Sequence, residues 1–102
     1  MKYQLVLQWS VASEDEFEAL LEVEEVLIED LSALHDVDGH DIGSSEFNIF
    51  IHTNDPESAF GEVRRILGNS KSWFLIRIAY RERQKSGYVI LWPAGLTKFE
   101  VS

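Results

Sequence analysis

A chain of 102 residues with 45% hydrophobic and 26% charged side chains has the size and composition of one folded domain, which excludes a disordered, collagen-like or membrane-embedded polypeptide. Eighteen acids against nine bases leave a formal charge of -9, a balance that opposes binding to a phosphate backbone and excludes nucleic acid as the expected partner. The absence of cysteine excludes a disulfide framework, a thiolate metal site and a cysteine nucleophile, and a cytoplasmic location is expected.

Lys2 to Trp9 alternates, with Tyr3, Leu5, Leu7 and Trp9 on one face and Gln4, Val6 and Gln8 on the other, the pattern of a half-buried strand. Ser13 followed three residues later by Glu16 is a capping box. Phe17, Leu20, Leu21, Leu27, Ile28, Leu31 and Leu34 then recur at helical spacing, broken only by Glu24, so a helix is predicted from Glu14 to Leu34. The polar run from His35 to Gly43 is read as a short irregular strand near Asp36 to Ile42, with Gly43 to Ser45 as a hairpin loop. Glu46 to Thr53 alternates again and is a strand. Asp55 before Pro56 caps a second helix that buries Phe60, Val63, Ile66 and Leu67 and ends at Gly68. Trp73 to Glu82 and Tyr88 to Trp92 are predicted strands joined by a turn at Arg83 to Gly87, and Lys98 to Val101 adds a short tail strand.

This order, β-α-β-β-α-β-β over residues 1–102, is that of a single α+β domain: a ferredoxin-like sandwich with a mainly antiparallel sheet and two helices on one face. The core face of the sheet is expected to carry Leu5, Leu7, Phe47, Ile49, Ile51, Ile76 and Ile78, with Phe74 and Tyr80 beside them. No apolar run reaches the ~20 residues that span a bilayer, so no membrane is expected.

Charge is uneven along the chain. Met1 to Ile51 holds thirteen acids and one base, and His52 to Ser102 holds five acids and eight bases. Half of all the acids lie in the first helix, which has no base. Glu18, Glu22, Glu25 and Glu29, at i, i+4, i+7 and i+11, form one outward stripe of like charge, either a solvated face or a docking surface for a basic protein. The small basic clusters, Arg64-Arg65 and Arg81, Arg83 and Lys85, are expected to pair with the acidic half.

The open face of the sheet is predicted to show Asn48, Phe50 and His52 from one strand and Trp73, Leu75, Arg77, Ala79 and Arg81 from another. Phe50 and Leu75, with Val6, are too apolar to leave in water as one patch, so they are candidate partner-binding residues. Asn48, His52 and Arg77 are candidate ligand-binding residues, joined by Tyr80 if its strand slips by one. That face is covered by a partner, by a second copy in a homodimer, or by Leu96 to Val101 folded across it. His35, Asp36, Asp38, His40 and Asp41 include metal-ligand types, and Asp36, Asp38 and His40 would share one strand face, but the spacing fits neither a calcium loop nor a helical zinc site, so no metal is expected. The chain has no glycine-rich phosphate loop and no G-x-S-x-G, so neither a cofactor nor a recognisable catalytic residue is predicted.

In its element order the chain resembles small bacterial ferredoxin-like α+β domains of unknown function. In size and acidity it is similar to small immunity proteins that neutralise basic toxins. The second likeness implies a basic protein partner held by charge complementarity. The expected function is therefore a protein-interaction module using the acidic first helix or the open sheet face. The alternative is a dimeric α+β enzyme or small-ligand binder whose pocket lies on the open face.

Overall fold

The computed structural model describes residues 1–101. Strand β1 is Tyr3–Ser10, helix α1 Glu14–Asp30, strand β2 His35–Gly43, strand β3 Glu46–Thr53, helix α2 Pro56–Leu67, strand β4 Arg77–Glu82 and strand β5 Val89–Trp92, with a 3-10 turn at Lys71–Trp73. All five strands form one antiparallel sheet of order β2-β3-β1-β4-β5. No helix is long and apolar enough to cross a membrane among the described residues.

Capping chemistry fixes where both helices begin. Ser13 Oγ accepts the Glu16 N–H at 3.2 Å while Glu16 Oε2 accepts the Ala12 N–H at 2.6 Å. Asp55 Oδ1 accepts the Ser58 N–H at 3.1 Å, with Pro56 in the first turn, where its missing donor costs nothing. The end of α1 differs from the predicted Leu34, because the backbone leaves the helix at Leu31. Its last turn carries Glu29 and Asp30 with no base, against the helix dipole. Ser32 instead donates its N–H and its hydroxyl to the Glu62 carboxylate of α2, both at 2.9 Å. Leu34, the last residue of the apolar pattern, is exposed.

The expected core face is the face that both helices cover. Leu5, Leu7, Trp9, Phe47, Ile49, Ile51 and Ile78 pack with Ile76 against Leu20 and Leu27 of α1 and Ala59, Val63 and Leu67 of α2. Glu24, the polar break in the α1 stripe, is buried among them and accepts from His40 Nδ1 at 2.9 Å. The other face carries a second, smaller cluster, in which Val6 and Ala79 lie under Phe99. Residues 96–101 cross this face as an irregular strap. The expected tail strand at Lys98 to Val101 is therefore absent: Phe99 packs on the face of the sheet, and the segment joins no strand ladder.

Two further local readings are corrected. In β2 the register shifts between Val37 and Gly39, and Gly39 adopts φ 145, open to glycine and closed to most side chains. This bulge breaks the alternation, so Asp36 stays opposite His52 while His40 turns to the helix side opposite Ile49. The fourth strand starts at Arg77 rather than Trp73. Trp9 Nε1 donates to the Ser72 carbonyl at 2.7 Å and ties the 3-10 turn to β1. Trp73 consequently faces the helix side, its ring 5.4 Å from that of Trp92 and 6.3 Å from that of Phe60. Phe74, expected inside, is 77% exposed, and Leu75 is 74% exposed with a left-handed φ of 64.

Candidate functional site

Helical spacing places Ala19, Val23 and Val26 at i, i+4 and i+7, a strip between the core-facing Leu20 and Leu27 and the outward stripe Glu18, Glu22, Glu25 and Glu29. All four glutamates are exposed, and none forms a salt bridge among the described residues. Beside the strip a cleft of about 550 Å³ opens between α1 and the 3-10 turn, lined by Trp9, Ala19, Leu20, Val23, Phe74 and Leu75, with Glu16 and Lys71 also on its walls. Two large apolar side chains stand in water at its lip, on a backbone strained at Leu75. Strain of this kind, about 1–3 kcal/mol, persists only where surrounding structure holds it, and it concentrates at working surfaces. Leu75 is thus exposed as expected, but it belongs to this cleft, on a turn that precedes β4. The sequence reading assigns Phe74 to the core and does not single out Ala19 or Val23. The signal was four consecutive large apolar residues, Trp73 to Ile76, which an alternating strand cannot bury on one face.

The open sheet face brings together only part of the expected set. Asn48 is fully buried, and its Oδ1 accepts from Gln8 Nε2 at 3.0 Å. Arg77 Nε donates to Gln8 Oε1 at 2.8 Å and its Nη2 lies 3.9 Å from Glu46 Oε2. Gln8 Nε2 also donates to the Glu100 carbonyl of the strap at 2.8 Å. Among the described residues, Asn48 Nδ2 is the one buried side-chain polar atom without a hydrogen-bond partner. His52 pairs instead with Asp38, Nε2 to Oδ2 3.6 Å. Tyr80 keeps its helix-side register, its ring edge-on to Tyr3 at 5.7 Å, and does not join the group. Phe50, expected at a partner surface, is half-buried beneath the strap.

Beneath the helices lies a network that the sequence pattern did not reveal. His35 Nε2 lies 3.0 Å from Glu62 Oε2 and its Nδ1 2.8 Å from Thr53 Oγ1, which accepts the Asp55 N–H at 2.9 Å. A carboxylate only accepts, so Nε2 carries the proton to Glu62, and a neutral ring then accepts the Thr53 hydroxyl proton at Nδ1. The Ser32 backbone N–H, ahead of the Ser32 hydroxyl and the adjacent His35, holds the Glu62 carboxyl below its ordinary range, against the opposing effect of burial. Carboxylate, imidazole and hydroxyl stand in the order of a hydrolytic triad, but Thr53 is wholly buried and its oxygen is engaged by Asp55. This hydroxyl cannot meet a substrate, so the network joins α2 to β2 and β3 as a structural tie. The residues from His35 to Asp41 are split between two sheet faces, and no three metal-ligating side chains converge among the described residues.

The basic clusters do not pair with the acidic helix. Arg64 lies over the Trp92 ring, Arg81 Nη1 donates to the carbonyls of Arg83 and Lys85, and Lys85 pairs with Glu82. The charge of α1 is therefore left for solvent or a partner. No family model, curated protein or solved structure matches the chain.

Proposed function

We propose that the protein is an interaction module that docks a basic, amphipathic segment of another protein along α1. The apolar side of the segment would enter the cleft between Val23 and Leu75, and its cations would meet the glutamate stripe. The observation that carries this reading is the juxtaposition of an unpaired acidic stripe with an apolar cleft whose lip is strained and solvent-exposed. Apolar contact supplies affinity in such helix-in-groove recognition, and charge supplies orientation and rate. The likeness in type to small acidic immunity proteins makes a basic protein toxin one partner of this chemistry, met in the cytoplasm. We read the architecture as a ferredoxin-like unit of β1 to β4 extended by β5, a reading supported by the order β2-β3-β1-β4 and by helices on one face. That fold hosts many functions, so the reading rests on the surface. Under the strap Val6 is buried and Phe50 half-buried.

Calorimetric titration with a synthetic helical peptide, leucine at i, i+3, i+4 and i+7 and lysine elsewhere, tests the proposal. Binding should weaken with salt, fall on Glu18→Lys with Glu22→Lys, and fall independently on Phe74→Ala. Equal affinity for all three proteins would contradict it.

A further inference from the structure

The strap satisfies only half of the polar chemistry it covers. Phe99, 9% exposed, packs on Val6 and Ala79 with its ring 5.0 Å from that of Tyr88. Glu100 O accepts from Gln8 Nε2 at 2.8 Å, the strap's single hydrogen bond to the sheet among the described residues. Arg77 holds the other end of that amide, and Gln8 Nε2 donates at 3.0 Å to Asn48 Oδ1 and at 3.4 Å to Glu46 Oε1 within the sheet as well as to the strap. Next to it the fully buried Asn48 keeps Nδ2 without an acceptor. A buried donor left unpaired is disfavoured, and a segment that accepted from both amides would displace one that accepts from a single amide.

We propose that this sheet face is a second docking site, for an extended segment of a partner protein, and that the strap is its intramolecular stand-in. The strap's own contacts define the occupant: an aromatic side chain for the Val6 and Ala79 pocket, and acceptor oxygens for Gln8 Nε2 and Asn48 Nδ2. Pro93-Ala94-Gly95, all exposed and with Gly95 at φ 87, joins β5 to the strap and is the segment about which it would swing away.

Hydrogen exchange on the unaltered protein reads the release. The amides of residues 96–101 should exchange about a hundredfold faster than those of β1, and equal protection would overturn the proposal. Docking is read by fluorescence anisotropy of a labelled peptide with the sequence of Pro93 to Val101. It should bind Phe99→Ala protein at least about tenfold more tightly than unaltered protein, whose tethered strap competes. The same peptide with alanine at the phenylalanine position should not bind. Phe99→Leu replaces Phe99→Ala if circular dichroism shows the latter unfolded. Equal binding to both proteins, or no binding to either, would overturn the proposal. Random peptides selected on the variant should converge on an aromatic residue and bind more tightly than the strap peptide. Selection without an aromatic, or no gain in affinity, would overturn the assigned chemistry.

Discussion

Replacing Glu62 with alanine removes three acceptor contacts, and their surroundings set the cost. The Ser32 N–H and hydroxyl are at the surface, where water replaces the carboxylate. The His35 side chain is only 1% exposed, so its Nε2 proton is left buried without an acceptor. An orphaned buried donor costs about 1–3 kcal/mol. Since 1 kcal/mol shifts the melting temperature of a domain this small by about 4–8 °C, Glu62→Ala should melt some ~10 °C lower at neutral pH. Glu62→Gln, whose amide oxygen still accepts from His35, should recover part of that loss. Acidity supplies the second arm. The Glu62 carboxyl is held below its ordinary value of 4.5 by the Ser32 backbone N–H foremost, so its contribution is complete above that value and disappears as pH falls through the lowered one. The gap between unaltered and Glu62→Gln protein in urea melts should therefore close on acidification. A Glu62→Ala protein within about 0.5 kcal/mol of the unaltered one, or a gap that widens toward acid, would refute the assignment of Glu62 as acceptor to His35.

Ile49→Ala, at a fully buried position between the sheet and the helices, should cost about 2–5 kcal/mol in urea melts. A loss under about 0.5 kcal/mol would place it outside the core. Leu75→Gly relieves the left-handed backbone at φ 64 and should raise stability by about 1 kcal/mol, while weakening peptide binding at the cleft in the same calorimetric assay. Glu22→Lys turns like-charge neighbours on α1 into attractive ones and should stabilise the free protein by about 0.5 kcal/mol, read as a higher melting temperature that subsides with added salt.

Alternation and capping made most of the fold legible. Leu5, Leu7, Phe47, Ile49, Ile51 and Ile78 announce their face by period two, and Ser13 and Asp55 announce both helix starts. The errors fall where local pattern meets tertiary demand. Trp73 to Ile76 looks like strand by composition, but the bond from Trp9 to the Ser72 carbonyl, between residues distant in sequence, bends it into a turn. The face of His40 was illegible because a single bulged residue inverts alternation, and only Gly39 hinted at it. The acidic stripe could be read directly, since a helix start and a spacing define it. The cleft beside it could not, because its second wall arrives from a turn more than forty positions further along the chain. The strap over the open face was one of three covers anticipated, and nothing in residues 96–101 distinguished packing on the face from adding to an edge.

The docking surface on α1 is tested most directly by backbone-amide NMR during titration with the basic amphipathic peptide. The account predicts saturable shifts at Ala19, Glu22, Val23, Phe74 and Leu75, with an affinity that declines as salt screens the glutamate stripe. Shifts confined to the β4–β5 hairpin or to residues 97–101, or an affinity indifferent to salt, would contradict it.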